Sequence, residues 1–139
     1  LSKKYGQMLP EREQHRWEAI EWLMLQIGGI GPMFGQTHHF IGFNKGKAPY
    51  AEERYYKETV RLYNVLERRL QSNEYLANEY SIADIATWPW VARYERQTIT
   101  LNKFPNVKRW YLEIATRPAV LRGYDIPKKN EIIPIPNNN

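Results

Sequence analysis

Ser81 and Asp84 stand three residues apart at the head of an apolar run, Tyr80-Ser-Ile-Ala-Asp-Ile-Ala-Thr-Trp-Pro-Trp90. This is the S-x-x-D form of a helix capping box. The Ser81 hydroxyl can accept from the Asp84 backbone N–H, and the Asp84 carboxylate can accept from the Ser81 N–H. Tyr80 and Ile85 occupy the N′ and N4 positions of a hydrophobic staple. Beyond the cap, Ile82, Ile85, Ala86, Trp88, Trp90, Val91 and Ala92 leave almost no polar side. A helix with that composition is expected to be buried all round, which makes it the centre of a helical domain. Asp84 is thereby assigned to folding rather than to catalysis.

The rest of the chain can surround such a centre. Its 139 residues suffice for one core, and five tryptophans, ten tyrosines and four phenylalanines furnish it. No run of about eighteen apolar residues exists, which excludes a spanning helix. Cysteine is absent. That removes disulfides, thiolate metal sites and a cysteine nucleophile from this segment, and it suits a cytoplasmic protein. The formal charge is +5, but basic residues are interspersed with acidic ones; Arg68-Arg69 and Lys128-Lys129 are the doublets. No basic stripe for nucleic acid results.

Helical spacing recurs along the chain. Residues 11–27 place Trp17, Ile20, Met24 and Ile27 on one stripe, with Trp22, Leu23 and Leu25 widening it enough to require a second covering surface. Gly28-Gly29 is expected to end that helix and open a long functional loop to Pro49. Residues 50–71 predict a long helix with Tyr56, Val60, Tyr63, Leu66 and Leu70 inward, and with Glu53–Lys57 and Arg54–Glu58 as i,i+4 pairs. The capped helix is expected to run to about Thr98 with a packed bend at Pro89. Phe104-Pro105 and Arg117-Pro118 each start a further helix, with Val107, Trp110, Tyr111 and Ile114 inward in the first and Gly123 ending the second. The reading is an all-α bundle of about five helices, residues 11–124. Residues 1–10 read as the last turn of an upstream helix plus a connector, and residues 125–139 as a proline-rich surface tail with disordered closing asparagines.

Few residues invite chemistry. Gly29-Ile-Gly31 with Gly35 has the wrong spacing for a nucleotide loop and no preceding strand. The adjacent His38 and His39 point apart and lack a carboxylate at ligand spacing, which argues against a metal; hydrogen bonding to a ligand or to backbone suits them better. Arg54 has two readings: an exposed partner of Glu58, which the sequence alone favours, or a planar fork for a carboxylate.

Three segments carry a resemblance: Gln26-Ile-Gly-Gly-Ile-Gly-Pro-Met-Phe-Gly-Gln-Thr-His-His-Phe40, Pro49-Tyr-Ala-Glu-Glu-Arg-Tyr55 and Tyr80 to Trp90. On them the chain, from Leu1 to about Tyr124, resembles the C-terminal helical domain of glutathione transferases. It is most similar to the bacterial Nu class, whose members also resemble a fungal nitrogen-regulating prion protein. The resemblance implies a preceding thioredoxin-like domain that carries most of the glutathione site and activates its thiol, so no catalytic residue is expected in this segment. It implies a homodimer in which Arg54 reaches glutathione across the subunit boundary, with Gln36, His38 and His39 edging the cleft and Glu21 near the ligand. Thr37 stands where the family has Asn. Glutathione, reduced or oxidised, would be the cofactor, with no metal, nucleic acid or membrane as partner. The activity implied is glutathione-dependent disulfide reduction and conjugation of electrophiles, and the isolated segment would be inactive. The alternative is a non-catalytic domain of the same fold used for protein assembly.

Overall fold

A computed structural model describes residues 2–127 and 130–137 of the chain. The α-helices are α1 (Ser2–Tyr5), α2 (Glu13–Leu25), α3 (Gly31–Thr37), α4 (Pro49–Leu70), α5 (Ile82–Val91), α6 (Pro105–Ala115) and α7 (Pro118–Tyr124). Wide π-type turns, Gln26–Ile30 and His38–Phe43, flank α3, and tight 3-10 turns lie at Tyr94–Gln97 and Leu101–Lys103. No strand occurs among the described residues beyond an isolated bridge between Ala77 and Glu79. The architecture is all-α.

The cap of α5 is the hub. Ser81 accepts from the Ala83 amide at 3.2 Å and completes a capping box with Asp84. The buried Asp84 carboxylate also accepts from the Leu76 N–H, the Ser81 N–H and the Trp110 indole N–H, at 3.0, 3.0 and 2.8 Å. Burial pushes this carboxyl up from its ordinary range, while those donors pull it back down. Trp88 stacks on Tyr111 with ring centroids 5.2 Å apart and donates to the Tyr111 carbonyl. Thus α5 and α6 are joined by both stacking and hydrogen bonds.

Proline opens α6 at its first position, where its missing N–H is no loss. The next two orphan amides, of Asn106 and Val107, donate to Glu67 on α4 at about 3 Å. A carboxylate from another helix therefore caps α6 and complements the positive end of its dipole.

Several expectations are corrected. The glycines after α2 do not release the chain: backbone angles stay helical through α3, and the loop shrinks to residues 44–48. Here glycine serves close packing. A Cβ on Gly31 would stand 2.9 Å from Gln26 Nε2 and 3.3 Å from the Trp90 ring. On α2 the stripe faces the other way: Trp17, Met24 and Ile27 are more than half exposed, while Ala19 and Gln26 are buried. Because the apolar residues of α2 are spread around the helix rather than gathered on one side, its sequence left the choice of face to the neighbours, and Trp22 and Leu25 meet the core instead.

The capped helix ends at Val91, since Pro89 offers no N–H to the Ile85 carbonyl and tight turns follow. It is not wholly buried, for Ile85 and Pro89 face solvent. On α4, Thr59 and Leu62 are buried and Tyr56 is partly exposed. Residues 131–137 are extended but not loose: Ile133 joins the core, the Tyr111 hydroxyl donates to the Pro134 carbonyl at 2.7 Å, and Asn102 donates to the Asn137 carbonyl. The expectations for Leu1, Lys128-Lys129, Asn138 and Asn139 lie outside the described residues.

Candidate functional site

Antiparallel packing of α3 on α4 positions the candidate residues. Phe34 stacks on Tyr63 at 5.0 Å, the Thr37 and Thr59 hydroxyls meet at 2.7 Å, and Phe40 stacks on Tyr55 at 5.3 Å. Thr37 also donates to the Met33 and Tyr55 carbonyls, so its hydroxyl is occupied inside the bundle.

On the outer side of α4, Arg54 lies in an open hollow of about 620 Å³ with Met33, Tyr50, Tyr55 and Arg61. The expected Arg54–Glu58 pair does not form. Glu58 instead accepts two hydrogen bonds from Arg61, at 2.8 and 2.7 Å, because a residue three positions on lies on the same helical face as one four back. Glu53 pairs with Lys57. Both carboxylates of the hollow are thus satisfied by other cations. The Arg54 guanidinium donates no hydrogen bond to any described residue and touches Glu58 only through space. A planar fork with five free donors matches a carboxylate.

The other candidates divide between two sides of the bent helix formed by α2, α3 and their π-turns. Exposed positions recur at Glu21, Met24, Gly28, Pro32, Gln36 and His39, which is the spacing of one helical face. His39 meets Phe40 edge-on, and its carbonyl accepts from Asn44 at 3.0 Å. His38 turns inward. Its Nε2 lies 3.2 Å from Gln97 Nε2, its ring faces Trp90, and burial together with Arg93 and Arg96 lowers its pKa. No hydrogen bond or ion pair among the described residues ties Arg54 to Glu21 or Gln36; Met33 on α3 shares the Arg54 hollow. Of the partners of His38, Trp90 closes the capped apolar run already singled out, whereas Gln97 carries no motif that sequence reading could have used.

A second, larger cleft of about 760 Å³ opens along α5 and α7. Ile85, Pro89, Val120 and Tyr124 line it together with Arg93 and Arg96. Met8 of the connector borders it, held there by a 2.8 Å hydrogen bond from the Ile82 N–H to the Met8 carbonyl. Among the described residues no group of three His, Asp or Glu is placed to hold a metal ion. No described helix is long and apolar enough to cross a membrane.

Residues 27–118 match the family described as glutathione S-transferase, C-terminal domain. The chain belongs to that family. It is 48% identical over 120 residues to the disulfide-bond oxidoreductase YfcG of Escherichia coli, an alignment covering 86% of this chain and 56% of YfcG. A glutathione transferase structure from Pseudomonas putida, with one glutathione disulfide bound per subunit, superposes with a TM-score of 0.83 at 40% identity, covering 91% of this chain and 58% of that one. The fungal protein URE2 of Meyerozyma guilliermondii is 30% identical over 140 residues, 76% of this chain and 46% of URE2. The chain spans about half the length of the curated relatives it matches.

Proposed function

We propose that this transferase domain is the carboxyl-terminal part of a homodimeric, glutathione-dependent enzyme that reduces disulfides and conjugates electrophiles. The observation that carries the reading is the Arg54 fork, which donates to no described residue, in an open hollow where both neighbouring carboxylates are satisfied by other cations. Glutathione is a tripeptide with two carboxylates, and a free guanidinium recognises one of them in a bidentate geometry. In a dimer, Arg54 would reach the glutathione held by the partner subunit.

Glu21, Gln36 and His39 would edge the ligand cleft from their shared exposed face. His38, whose Nε2 is occupied within the bundle, would act only by holding the turn that carries His39. The half-exposed Trp17, Met24 and Ile27 favour a protein surface over α2. The preceding thioredoxin-like half would cover the Ile85–Tyr124 cleft, which the connector already borders at Met8, and would activate the thiol of the substrate. The same surfaces would form the wall of the electrophile pocket.

The test compares glutathione-dependent reduction of a small organic disulfide by the full-length enzyme and by residues 1–139 alone. The full-length enzyme should turn over and the isolated segment should not. Turnover by the segment alone, or none by the full-length enzyme, contradicts the proposal.

A further inference from the structure

The turn His38–Phe43 is tied to the turn Tyr94–Gln97 through a file of buried polar groups. Tyr63 on α4 donates its hydroxyl to Gln97 Oε1 at 2.7 Å. Gln97 Nε2 has two hydrogens: one goes to the Trp90 carbonyl at 2.8 Å, and the other faces His38 Nε2 at 3.2 Å. Reversing this amide would aim its oxygen at the Trp90 carbonyl, so its orientation is settled by the acceptors around it. His38 Nε2 is therefore the acceptor. The single ring proton then resides on Nδ1. A backbone contact with Arg93 favours the charged ring but is outweighed by burial and the neighbouring cations. Tyr63 and Gln97 are fully buried, so water does not replace a partner lost by the Gln97 amide, while His38 keeps a small exposed edge.

Adding a proton to His38 Nε2 would set two donors against each other at that contact. The surrounding charges make it worse. The segment after α5 contributes the cations Arg93 and Arg96, both of which disfavour an imidazolium. From α4 the titratable group is the Tyr63 phenol, already spent on Gln97. Glu95, the carboxylate of the Tyr94–Gln97 turn, accepts from the Tyr94 hydroxyl at 3.4 Å.

We propose that His38 is a pH-sensitive latch: as the neutral Nδ1–H tautomer it fastens the His38–Phe43 turn to the Tyr94–Gln97 turn through Gln97, and proton uptake unfastens it. Burial and the two arginines hold the ring's pKa below its ordinary 6.5. The folded state then binds fewer protons than the unfolded chain. The stabilisation is complete above 6.5 and is lost as pH falls from there through the folded-state value. The latch does not depend on glutathione binding, and its test uses none.

Two measurements decide it. Long-range 1H–15N NMR of the wild-type protein should show the His38 ring, assigned by its loss in His38→Gln, protonated at Nδ1 and bare at Nε2 at neutral pH. Its titration midpoint should lie below 6.5, and the amides of residues 38–43 and 94–97 should shift with that midpoint. In urea, the wild-type unfolding constant should rise between pH 7 and 5.5 by up to about tenfold per pH unit, the limit for one proton. His38→Gln should lose that rise. A ring that titrates at or above 6.5, or an Nε2–H tautomer, overturns the latch, as does a His38→Gln protein with undiminished acid sensitivity. Should that variant fail to fold, the spectrum of the wild type, with the three histidines assigned by through-bond correlation, decides alone.

Discussion

Trp110 donates its indole N–H to Oδ1 of Asp84 at 2.8 Å, and both residues are fully buried. That bond joins the middle of α6 to the first turn of α5, so the cap of one helix is also a tertiary clamp on another. Trp110→Phe removes the donor and leaves a small cavity, and should cost about 2–4 kcal/mol. Asp84→Ala strands the Leu76 and Ser81 amides as well as the indole and should cost on the order of 3 kcal/mol or more. Urea unfolding checks both. A loss below 1 kcal/mol for Asp84→Ala would show that the carboxylate does not carry this clamp.

Two glycines in the same bent helix should respond in opposite directions. A Cβ on Gly31 meets Gln26 at 2.9 Å and Trp90 at 3.3 Å, whereas one on Gly28 meets nothing within 4 Å. Gly31→Ala must displace a buried side chain and should destabilise by about 1–3 kcal/mol. Gly28→Ala should be neutral or stabilising by about 0.5–1 kcal/mol, through a less disordered unfolded chain. Thermal melts of the two variants, side by side, test whether the glycines exist for packing or for chain reversal.

That contrast marks the limit of what the sequence discloses. The cap of α5 and the proline starts of α6 and α7 are legible because a local backbone need dictates those residue types. The inward face of α6 is legible because its polar and apolar sides are separate. The α3 region is not: a glycine-rich stretch is equally compatible with a loop and with a helix pressed against Trp90, and the deciding contact lies some sixty residues away in the chain. The face of α2 is also hidden, since an apolar side that meets the core and one left exposed have the same composition. Of the candidate site, Arg54 could be singled out by type, but its freedom depends on Glu58 choosing Arg61. Gln97, which orients His38, has no local signature at all.

Alkali should unfold the protein steeply. Burial and the Glu113 carboxylate push the Tyr75 phenol up to about 12, and burial likewise raises Tyr63, Tyr80, Tyr94 and Tyr111. The unfolded chain releases these protons near 10. The stabilisation is complete below that value and is lost as pH rises toward 12. At pH 11 the native protein should show fewer ultraviolet-absorbing phenolates than the urea-unfolded chain, and Tyr75→Phe should narrow the gap. Equal phenolate content in both states would contradict the burial of these rings.

Glu67 should behave as a cap supplied from a distance. Glu67→Ala frees the Asn106 and Val107 amides at the start of α6 and should cost about 1–2 kcal/mol. Hydrogen exchange should quicken at those two amides before it quickens in the body of α6. Unchanged exchange there would remove Glu67 from the folding account.

The central claim is that Arg54 is held free to take a carboxylate of glutathione. Calorimetric titration of glutathione disulfide into the full-length enzyme, wild type against Arg54→Ala, tests it most directly. Affinity should fall on the order of tenfold, about 1.4 kcal/mol for a partly solvated charge-assisted contact, with the melting temperature little changed because the guanidinium donates no hydrogen bond to any described residue and meets Glu58 only through space. Equal affinity in the two proteins would contradict the claim.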